Sequence, residues 1–359
     1  MRLYKLEFTE RPYVSPRTTL IATGLAYVLS PLVIILVIEA AGMSTSRALT
    51  ALYLGSIGSI FGLALSFLNA THLLILGLGI TIAARSKIFN VGAEGQQIFG
   101  AIAAMSIGLA LAGVSGPIAI LAMIMVAIFV GGLYGAIAGV LKARWGINEV
   151  IVTIMLNWVA VEAVSFVIRG PLKDPEVNWP QSSLLPRNAW LPILIEGTNL
   201  NISLIFALLT TVAVYIFLFR TPLGYEIRAI GANINAARAN GINVNRVMVL
   251  SMLISGALAG FSGGLYVLGV THQLLDVRSS GSTPPWAWGY TAIVVAIMGR
   301  LHPLGVVFAS FFFGALLSGT SSVARDLAVP APLVDLSQGI VIMLVLLGEA
   351  LSRYRVKWI

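Results

Sequence analysis

The sequence predicts an all-α polytopic membrane protein, and its composition is the first reason. Of the 359 residues, 58% are hydrophobic and 10% are charged, and the mean hydropathy is +0.94. So few polar residues cannot cover the surface of a water-soluble domain of this length. The second reason is a series of long apolar stretches, which predicts a single transmembrane domain over residues 1–359 with about ten helices. The absence of cysteine excludes disulfides, and three scattered histidines argue against a metal site.

The predicted helices follow from the length of the apolar stretches, because a hydrocarbon layer of about 30 Å takes roughly 20 helical residues. Suitable stretches lie at 18–41, 49–84, 96–112, 117–141, 147–168, 201–219, 246–269, 286–299, 303–320 and 333–352. The stretch 49–84 is too long for one span, and we expect the polar residues Asn69, Thr71 and His72 to break it. We therefore interpret it as one crossing followed by a partial or re-entrant piece. The stretch 18–41 is too long for a signal peptide and is expected to remain as a helix.

The distribution of cations predicts the orientation. With both termini in the cytoplasm, sixteen of the 22 Lys and Arg residues fall on the inner side, which satisfies the positive-inside rule. Residues 170–200 then form an external loop rich in proline, with Trp179 and Trp190. This loop is either a connector or a docking surface for an external partner. Residues 220–245 form a cytoplasmic loop.

That cytoplasmic loop contains a polar, basic segment, "TPLGYEIRAIGANINAARANGINVNR" at 221–246. Apolar residues recur at helical spacing from Tyr225 to Asn240, between Gly224 and Gly241, and predict a short surface helix. Its charged residues would be costly inside the membrane. On composition alone, a solvated connector or an interfacial amphipathic helix remains an alternative.

The same segment resembles the cytoplasmic loop of membrane subunits of ABC importers in the branched-chain amino acid, ribose and nucleoside permease group. The resemblance implies a type II importer permease fold and a coupling helix that sits in a groove of the ATPase subunit. The residues to which it assigns coupling are Gly224, Glu226, Arg228, Gly231, Asn233, Ala236, Arg238 and Gly241.

Three further motifs narrow the resemblance. They are "SKIFNVGAEGQQIFGAIAA" at 86–104, "GINEVIVTIMLNWVA" at 146–160 and "GYTAIVVAIMGRLHPLG" at 289–305. They are similar to the larger permease subunit of general nucleoside transporters. The implied partners are a cytoplasmic ATP-binding subunit, a second homologous permease, an external substrate-binding protein and a nucleoside, in a bacterial inner membrane.

We expect no catalytic activity in this chain itself. It contains no Gly-x-x-x-x-Gly-Lys-Ser/Thr phosphate loop and no nucleophile elbow, so it is predicted to be a non-enzymatic subunit without a cofactor. ATP and Mg²⁺ would be used by the ATPase partner. No basic run interleaved with aromatic residues is present, so a nucleic-acid partner is not expected.

Two polar groups are candidates for the substrate pathway. Asn90, Glu94 and Gln96 lie between apolar runs, beside glycines that permit a break in the helix. Glu149, Thr153 and Asn157 follow one another at i+4 and share a helix face, and Trp158 belongs to an adjacent stripe. The first group forms either a loop at the membrane face or a re-entrant pathway lining, in which Glu94 could pair with Arg85 or Lys87. Asn157 either bonds another helix or contacts the solute.

Three alternatives to a nucleoside permease stay open. The first is a permease of the same group for a ribose-like sugar or a branched-chain amino acid. The second is a gradient-driven secondary transporter, with Glu39, Glu162 or Asp335 as its ion site, and the third is a scaffold without transport. Small residues at Gly131, Gly135 and Gly139, and again over 255–264, predict close helix packing in any of these proteins.

Overall fold

The computed structural model describes residues 44–276 and 288–328, the strands at 6–10 and 354–358, and helical positions at 32, 36, 39, 336, 339–344 and 347–348. The predicted spans 18–41 and 333–352, with Glu39 and Asp335, therefore fall almost wholly outside the continuous described ranges. The chain separates into two compact units, one comprising 1–58 with 316–359 and the other comprising 59–315.

Within the described residues the α-helices follow one another with short connections. They are α1 (Thr45–Ser56), α2 (Ile60–Arg85), α3 (Ala93–Ala110), α4 (Gly116–Trp145), α5 (Glu149–Arg169), α6 (Ser203–Arg220), α7 (Pro222–Ala232), α8 (Ile234–Ala239), α9 (Val244–Tyr266), α10 (Trp288–Met298) and α11 (Pro303–Asp326). A π-helical turn, Val267–Thr271, extends α9.

Six of these helices are long and apolar enough to cross a bilayer, namely α2, α4, α5, α6, α11 and α9 with its π-helical turn. The protein is therefore a multi-pass membrane protein. Helix α10 is apolar but shorter, at 11 residues, and α3 has 18 residues with a polar first turn. The ten predicted spans thus stay a prediction beyond these six.

The predicted all-α class holds for the membrane helices, and the structure adds one pair of short strands that the sequence did not predict. Strand β1 (Leu6–Glu10) pairs antiparallel with β2 (Tyr354–Trp358), with Leu6 opposite Trp358. The sequences LEFTE and YRVKW alternate apolar with polar or charged residues, which is the period of a strand. A search for long apolar stretches does not detect this pattern.

The break predicted at Asn69, Thr71 and His72 is also wrong, because α2 runs through all three residues. Thr71 Oγ1 donates to the carbonyl of Phe67 at 2.8 Å, so the helix satisfies this hydroxyl internally. The helix instead begins after Ser59, whose side chain accepts a hydrogen bond from the Gly62 N–H at 2.9 Å. Such an N-cap is a stronger boundary signal than polar residues in mid-helix.

Helix α9 forms the centre of the larger unit and packs against α4, α3 and α2. Its contact with α4 depends on glycine: a methyl group built on Gly135 would lie 3.0 Å from Gly256 Cα, and one on Gly260 would lie 2.9 Å from Gly131 Cα. The predicted small-residue packing face is therefore confirmed. Backbones this close leave α9 almost fully enclosed, which brings its polar residues next to those of α3.

Residues 170–202, between α5 and α6, form an ordered cap on the end of α9. The backbone N–H of Leu185 donates to the His272 carbonyl at 2.8 Å, and the Leu191 N–H donates to Leu268 at 3.0 Å. The Trp190 and His272 rings stack with centroids 3.7 Å apart. Burial of His272 in this stack lowers its pKa from the ordinary histidine value.

Candidate functional site

A buried polar network surrounds the non-helical segment between α2 and α3. The amides of Asn90 and Gln96 exchange two hydrogen bonds, of 2.8 and 3.0 Å, and Asn90 Nδ2 also donates to Ser255 Oγ on α9 at 2.8 Å. The Gly92 N–H donates to Asn90 Oδ1 at 3.0 Å. Asn90 therefore closes the turn that precedes α3 and attaches it to α9.

The predicted polar face of α5 lies against this segment. Glu149, Thr153 and Asn157 share one face of α5, as their i+4 spacing predicts, and all three are buried. Asn157 Oδ1 accepts a hydrogen bond from the Gly95 N–H at 2.9 Å, and Asn157 Nδ2 donates to the Val91 carbonyl at 3.0 Å. One side chain thus satisfies backbone groups on both sides of the start of α3.

Glu149 is the first residue of α5 and lies at the end of the same face. Its Oε2 lies 2.8 Å from Lys142 Nζ, and its Oε1 accepts from the Phe89 N–H at 3.4 Å. Thr153 Oγ1 donates to the Glu149 carbonyl at 2.7 Å. The structure therefore brings together five of the seven predicted pathway residues, Asn90, Gln96, Glu149, Thr153 and Asn157, through hydrogen bonds or a shared helix face.

Glu94 is a sixth member and differs from the others. It is buried in the first turn of α3, and its Oε2 has no hydrogen-bond partner among the described residues. Gly289 at the start of α10 is packed against it, since a methyl group there would lie 2.8 Å from Glu94 Cβ. The predicted pairing of Glu94 with Arg85 or Lys87 is wrong, because Arg85 Nε donates instead to the Leu301 carbonyl at 2.6 Å.

Trp158, the seventh residue, lies apart from this network. Its side chain is 60% exposed on a neighbouring face of α5, whereas Asn157 is 4% exposed. Adjacent residues of a helix differ by about 100° in direction, so a one-residue step is enough to separate them.

Sequence reasoning missed a second buried polar cluster next to the first. His72 Nδ1 lies 3.3 Å from Ser262 Oγ, which accepts a hydrogen bond of 3.4 Å from Gln97 Nε2. The His72 ring stacks on Trp288 with centroids 5.1 Å apart and meets Tyr266 edge-on at 5.3 Å. The available signal was the histidine inside an apolar span, which by itself indicates a buried polar contact.

The predicted coupling segment consists of two helices, α7 and α8, where a single helix was expected. Asn233 interrupts it with an extended backbone, and its side chain accepts hydrogen bonds from the N–H groups of Asn235 and Ala236 at 2.9 and 3.1 Å. Asn233 is thus an N-cap for α8. Gly224 lies inside α7, and Gly241, with φ of +80°, follows the end of α8.

Helix α7 is attached firmly to the membrane helices. Ile227 and Ile230 are fully buried, and Gly231 packs against the Arg85 carbonyl at the end of α2. Gly224 packs against the carbonyls of Phe217 and Leu218 at the end of α6. A side chain at either glycine would separate α7 from these ends.

Two arginines converge on one aromatic ring at this junction. The guanidinium carbons of Arg85 and Arg228 lie 5.4 and 5.2 Å from the Phe219 ring centroid. The His302 ring lies 5.4 Å from the same ring, and burial together with the charge of Arg85 lowers the pKa of His302. The ring therefore holds two like charges close together, from α2 and α7.

Helix α8 presents a different surface. Ala237 is buried, while Asn233, Ala236 and Arg238 are exposed. The assigned coupling residues therefore divide between a buried joint, which includes Gly224 and Gly231, and an exposed tip. Glu226, on α7, is half-buried.

This architecture defines a class: a multi-pass helical permease with a short helical segment attached to the ends of its membrane helices. Residues 59–346 match the family described as the branched-chain amino acid transport system / permease component. The chain belongs to this family of non-catalytic ABC transporter permease subunits.

Several permeases are similar over most of the chain. The glucose ABC transporter permease protein TsgB13 of Haloferax volcanii is 32% identical, covering 85% of this chain and 81% of that protein. The guanosine ABC transporter permease protein NupP of Bacillus subtilis is 32% identical, covering 89% of this chain and 93% of that protein. The nucleoside ABC transporter permease protein NupB of Lactococcus lactis is 28% identical, covering 82% and 81%.

Proposed function

We propose that this chain is the membrane subunit of an ATP-driven importer in a bacterial inner membrane, and that it moves nucleosides inward. In this proposal residues 1–359 act as one permease domain beside a second, homologous permease subunit. A cytoplasmic ATPase subunit supplies hydrolysis with its own ATP and Mg²⁺, and an external binding protein delivers the solute. The chain itself carries no cofactor.

The similarity to NupP carries the choice of substrate. It extends over 93% of that guanosine permease, and a second nucleoside permease, NupB, is also similar. A neutral solute such as a nucleoside suits a buried network made mainly of amides and hydroxyls. Such groups donate to and accept from bases and ribose without the desolvation cost of a full charge.

The α7–α8 segment is the proposed point of coupling, on the cytoplasmic side within 220–245, with the cap at 170–200 outside. Its exposed tip at Asn233, Ala236 and Arg238 would contact the ATPase, and its buried joint would pass the movement on. This is supported by the packing of Gly231 on the end of α2 and of Gly224 on the end of α6. Backbone packed against backbone transmits a displacement with little slack.

The buried network is proposed to line the inner part of the route when the helices separate. It joins α3, α5 and α9 through Asn90, Gln96 and Asn157, so separation of these helices would expose its hydrogen-bonding groups. Glu94 adds a buried carboxylate oxygen that has no hydrogen-bond partner within the described part of the chain. Glu149 and Thr153 continue the same face of α5.

Reconstitution tests this function. The chain would be placed in liposomes with its ATPase, second permease and binding protein, and uptake of radiolabelled guanosine and uridine would be measured with and without ATP. We expect accumulation that requires ATP and the binding protein. Accumulation by this chain alone under an ion gradient would contradict the proposal and would favour a secondary transporter.

A sugar is the second candidate substrate, because the glucose permease TsgB13 is as identical to this chain as NupP is. Including radiolabelled glucose and ribose in the same assay separates the two. Competition by unlabelled nucleoside but not by sugar would support the nucleoside.

A further inference from the structure

Positive charge gathers where the end of α2, the helix α7 and the turn between α10 and α11 meet. Arg85 and Arg228 both lie against the Phe219 ring, as described above. Within the described part of the chain, neither arginine forms an ion pair with a carboxylate. Glu226 is the nearest carboxylate to Arg228 in the sequence, but residues two apart do not face each other on a helix. The junction therefore holds two guanidinium charges without an acidic partner among the described residues.

Hydrogen-bond donors of these two side chains are also available. Arg85 Nε donates to the Leu301 carbonyl, which uses one of the five N–H donors of the guanidinium group. Arg228 Nε is buried and has no hydrogen-bond partner among the described residues. A buried donor without an acceptor is costly, and more so when it carries charge. An anion bound at this junction would remove that cost and would offset the repulsion between the two arginines.

A phosphate group matches these donors. The guanidinium group is a planar fork that binds phosphate through two parallel hydrogen bonds, and the several oxygens of one phosphate can accept from two arginines. The surroundings favour the same ligand, because three exposed cations, Lys87, Arg220 and Arg300, stand close in the sequence to Arg85, Phe219 and His302. Basic pockets between membrane helices bind lipid headgroups in this way. The phosphate could therefore belong to a phospholipid or to a soluble ion.

We propose that Arg85 and Arg228 form a phosphate-binding site at the joint between α2 and α7. The bound phosphate bridges the two guanidinium groups and so holds α7 against the end of α2, beside the packing of Gly231 on the Arg85 carbonyl. The site does not depend on which solute is transported. A carboxylate of the ATPase subunit is the competing occupant.

Binding of two phosphate probes to the complete transporter in detergent tests the site. The probes are inorganic phosphate and dioctanoyl phosphatidylglycerol, and the shift of the thermal unfolding midpoint at constant ionic strength gives each Kd. A non-hydrolysable ATP analogue fills the ATPase sites throughout. We expect Arg85→Gln and Arg228→Gln each to raise the Kd by about tenfold or more, since charge-assisted hydrogen bonds are the strong ones. Arg228→Lys should keep part of the affinity, because lysine binds phosphate as a point charge.

The ratio of the two wild-type Kd values identifies the source of the phosphate. Binding of the lipid at least tenfold tighter than that of inorganic phosphate assigns a membrane phospholipid, whereas equal affinities assign a soluble phosphate. Either result supports the site, provided that the arginine variants weaken the binding.

Arg246→Gln is the matched control, because it removes an exposed arginine charge at the start of α9, outside this junction, and should leave both Kd values unchanged. Co-purification with the ATPase verifies assembly of each variant, and Arg85→Gln and Arg228→Lys carry the test if Arg228→Gln does not fold. Wild-type affinity for both probes in Arg85→Gln and in the Arg228 variants would overturn the site. Loss of the ATPase from Arg228→Gln, with unchanged phosphate affinity in Arg85→Gln, would overturn it as well and would assign Arg228 to an ATPase carboxylate.

Discussion

Asn157 shows how one side chain can determine the geometry of a larger segment. It accepts a hydrogen bond from Gly95 N–H and donates to the Val91 carbonyl, so it bridges the turn and the first turn of α3. Tyr290 Oη lies 3.3 Å from its Nδ2 as well. Because backbone groups buried without partners are costly, this amide has a structural role whether or not a solute contacts it.

Replacement of Asn157 by leucine should distinguish its structural role from a role in contacting the solute. The Gly95 N–H would lose its acceptor, and we expect a loss of about 1–3 kcal/mol in the free energy of unfolding. Thermal unfolding of the detergent-solubilised complex measures this loss, with the exposed Asn199→Leu as the control. A pathway role adds a changed KM or base preference in uptake. Unchanged stability would contradict the hydrogen bonds described here, and an unchanged nucleoside preference would limit Asn157 to packing.

For individual residues, the sequence predicted which side chains share a helix face more reliably than it predicted their hydrogen-bond partners. The i+4 spacing correctly placed Glu149, Thr153 and Asn157 on one buried face, because helix periodicity is a local property. It did not reveal that Asn90 bonds Ser255, which is 165 residues away, because that contact depends on the packing of α9. The His72 cluster was missed for the same reason.

Among the elements, the crossing of α4 and α9 depends most directly on residue size. Gly260→Ala would bring a methyl group to 2.9 Å from Gly131 Cα, where only backbone could yield. We expect overpacking to cost about 1–3 kcal/mol and to lower the amount of folded protein in the membrane. Gly113→Ala is the control, since no atom lies within 4 Å of the added carbon. Fluorescence-detected size-exclusion chromatography of both variants measures this difference, and equal monodisperse yields would refute the close crossing.

The α7–α8 segment yields a prediction about charge. Arg238 is exposed on α8, so Arg238→Glu should weaken contact with the ATPase and reduce uptake by about tenfold or more, the scale of a lost interface anchor. Arg228→Glu acts elsewhere, because it replaces one of two like charges at Phe219 and would attract Arg85. Uptake and ATP hydrolysis are measured for each variant and for the double variant.

Arg246→Glu supplies the control, since it reverses an exposed charge at the start of α9, outside the two short helices. All four proteins should insert normally. Wild-type uptake in the double variant would show that the segment does not couple ATP hydrolysis to transport.

The helices also show where prediction from hydropathy fails. The sequence predicted the long helices α4, α5, α6 and α9 to within a few residues, because uniform apolar composition and length determine them. The sequence predicted α7 and α8 as one helix, because the apolar pattern is continuous across Asn233. The interruption there is made by the capping side chain of Asn233. Capping residues such as Ser59 and Asn233 are visible in the sequence, but their effect depends on the local backbone.

For the whole molecule, orientation is the property that most needs a measurement. The chain contains no cysteine, so single cysteines can be introduced without a prior replacement. We expect Asn235→Cys on α8 to react with a membrane-impermeant maleimide only in inside-out vesicles, and Glu196→Cys in the cap to react only in right-side-out vesicles. Both positions are exposed. Labelling of Asn235→Cys from the outside would reverse the topology and exclude contact of α8 with a cytoplasmic ATPase.

The pairing of β1 with β2 determines whether the number of membrane crossings is even or odd. Two hydrogen-bonded strands with open edges cannot lie in hydrocarbon, so Leu6–Glu10 and Tyr354–Trp358 share one aqueous compartment. The chain between these two strands must therefore traverse the bilayer an even number of times. Totals of nine or eleven passages are thereby excluded, and a split reporter divided between the amino and carboxyl ends should reassemble on a single molecule.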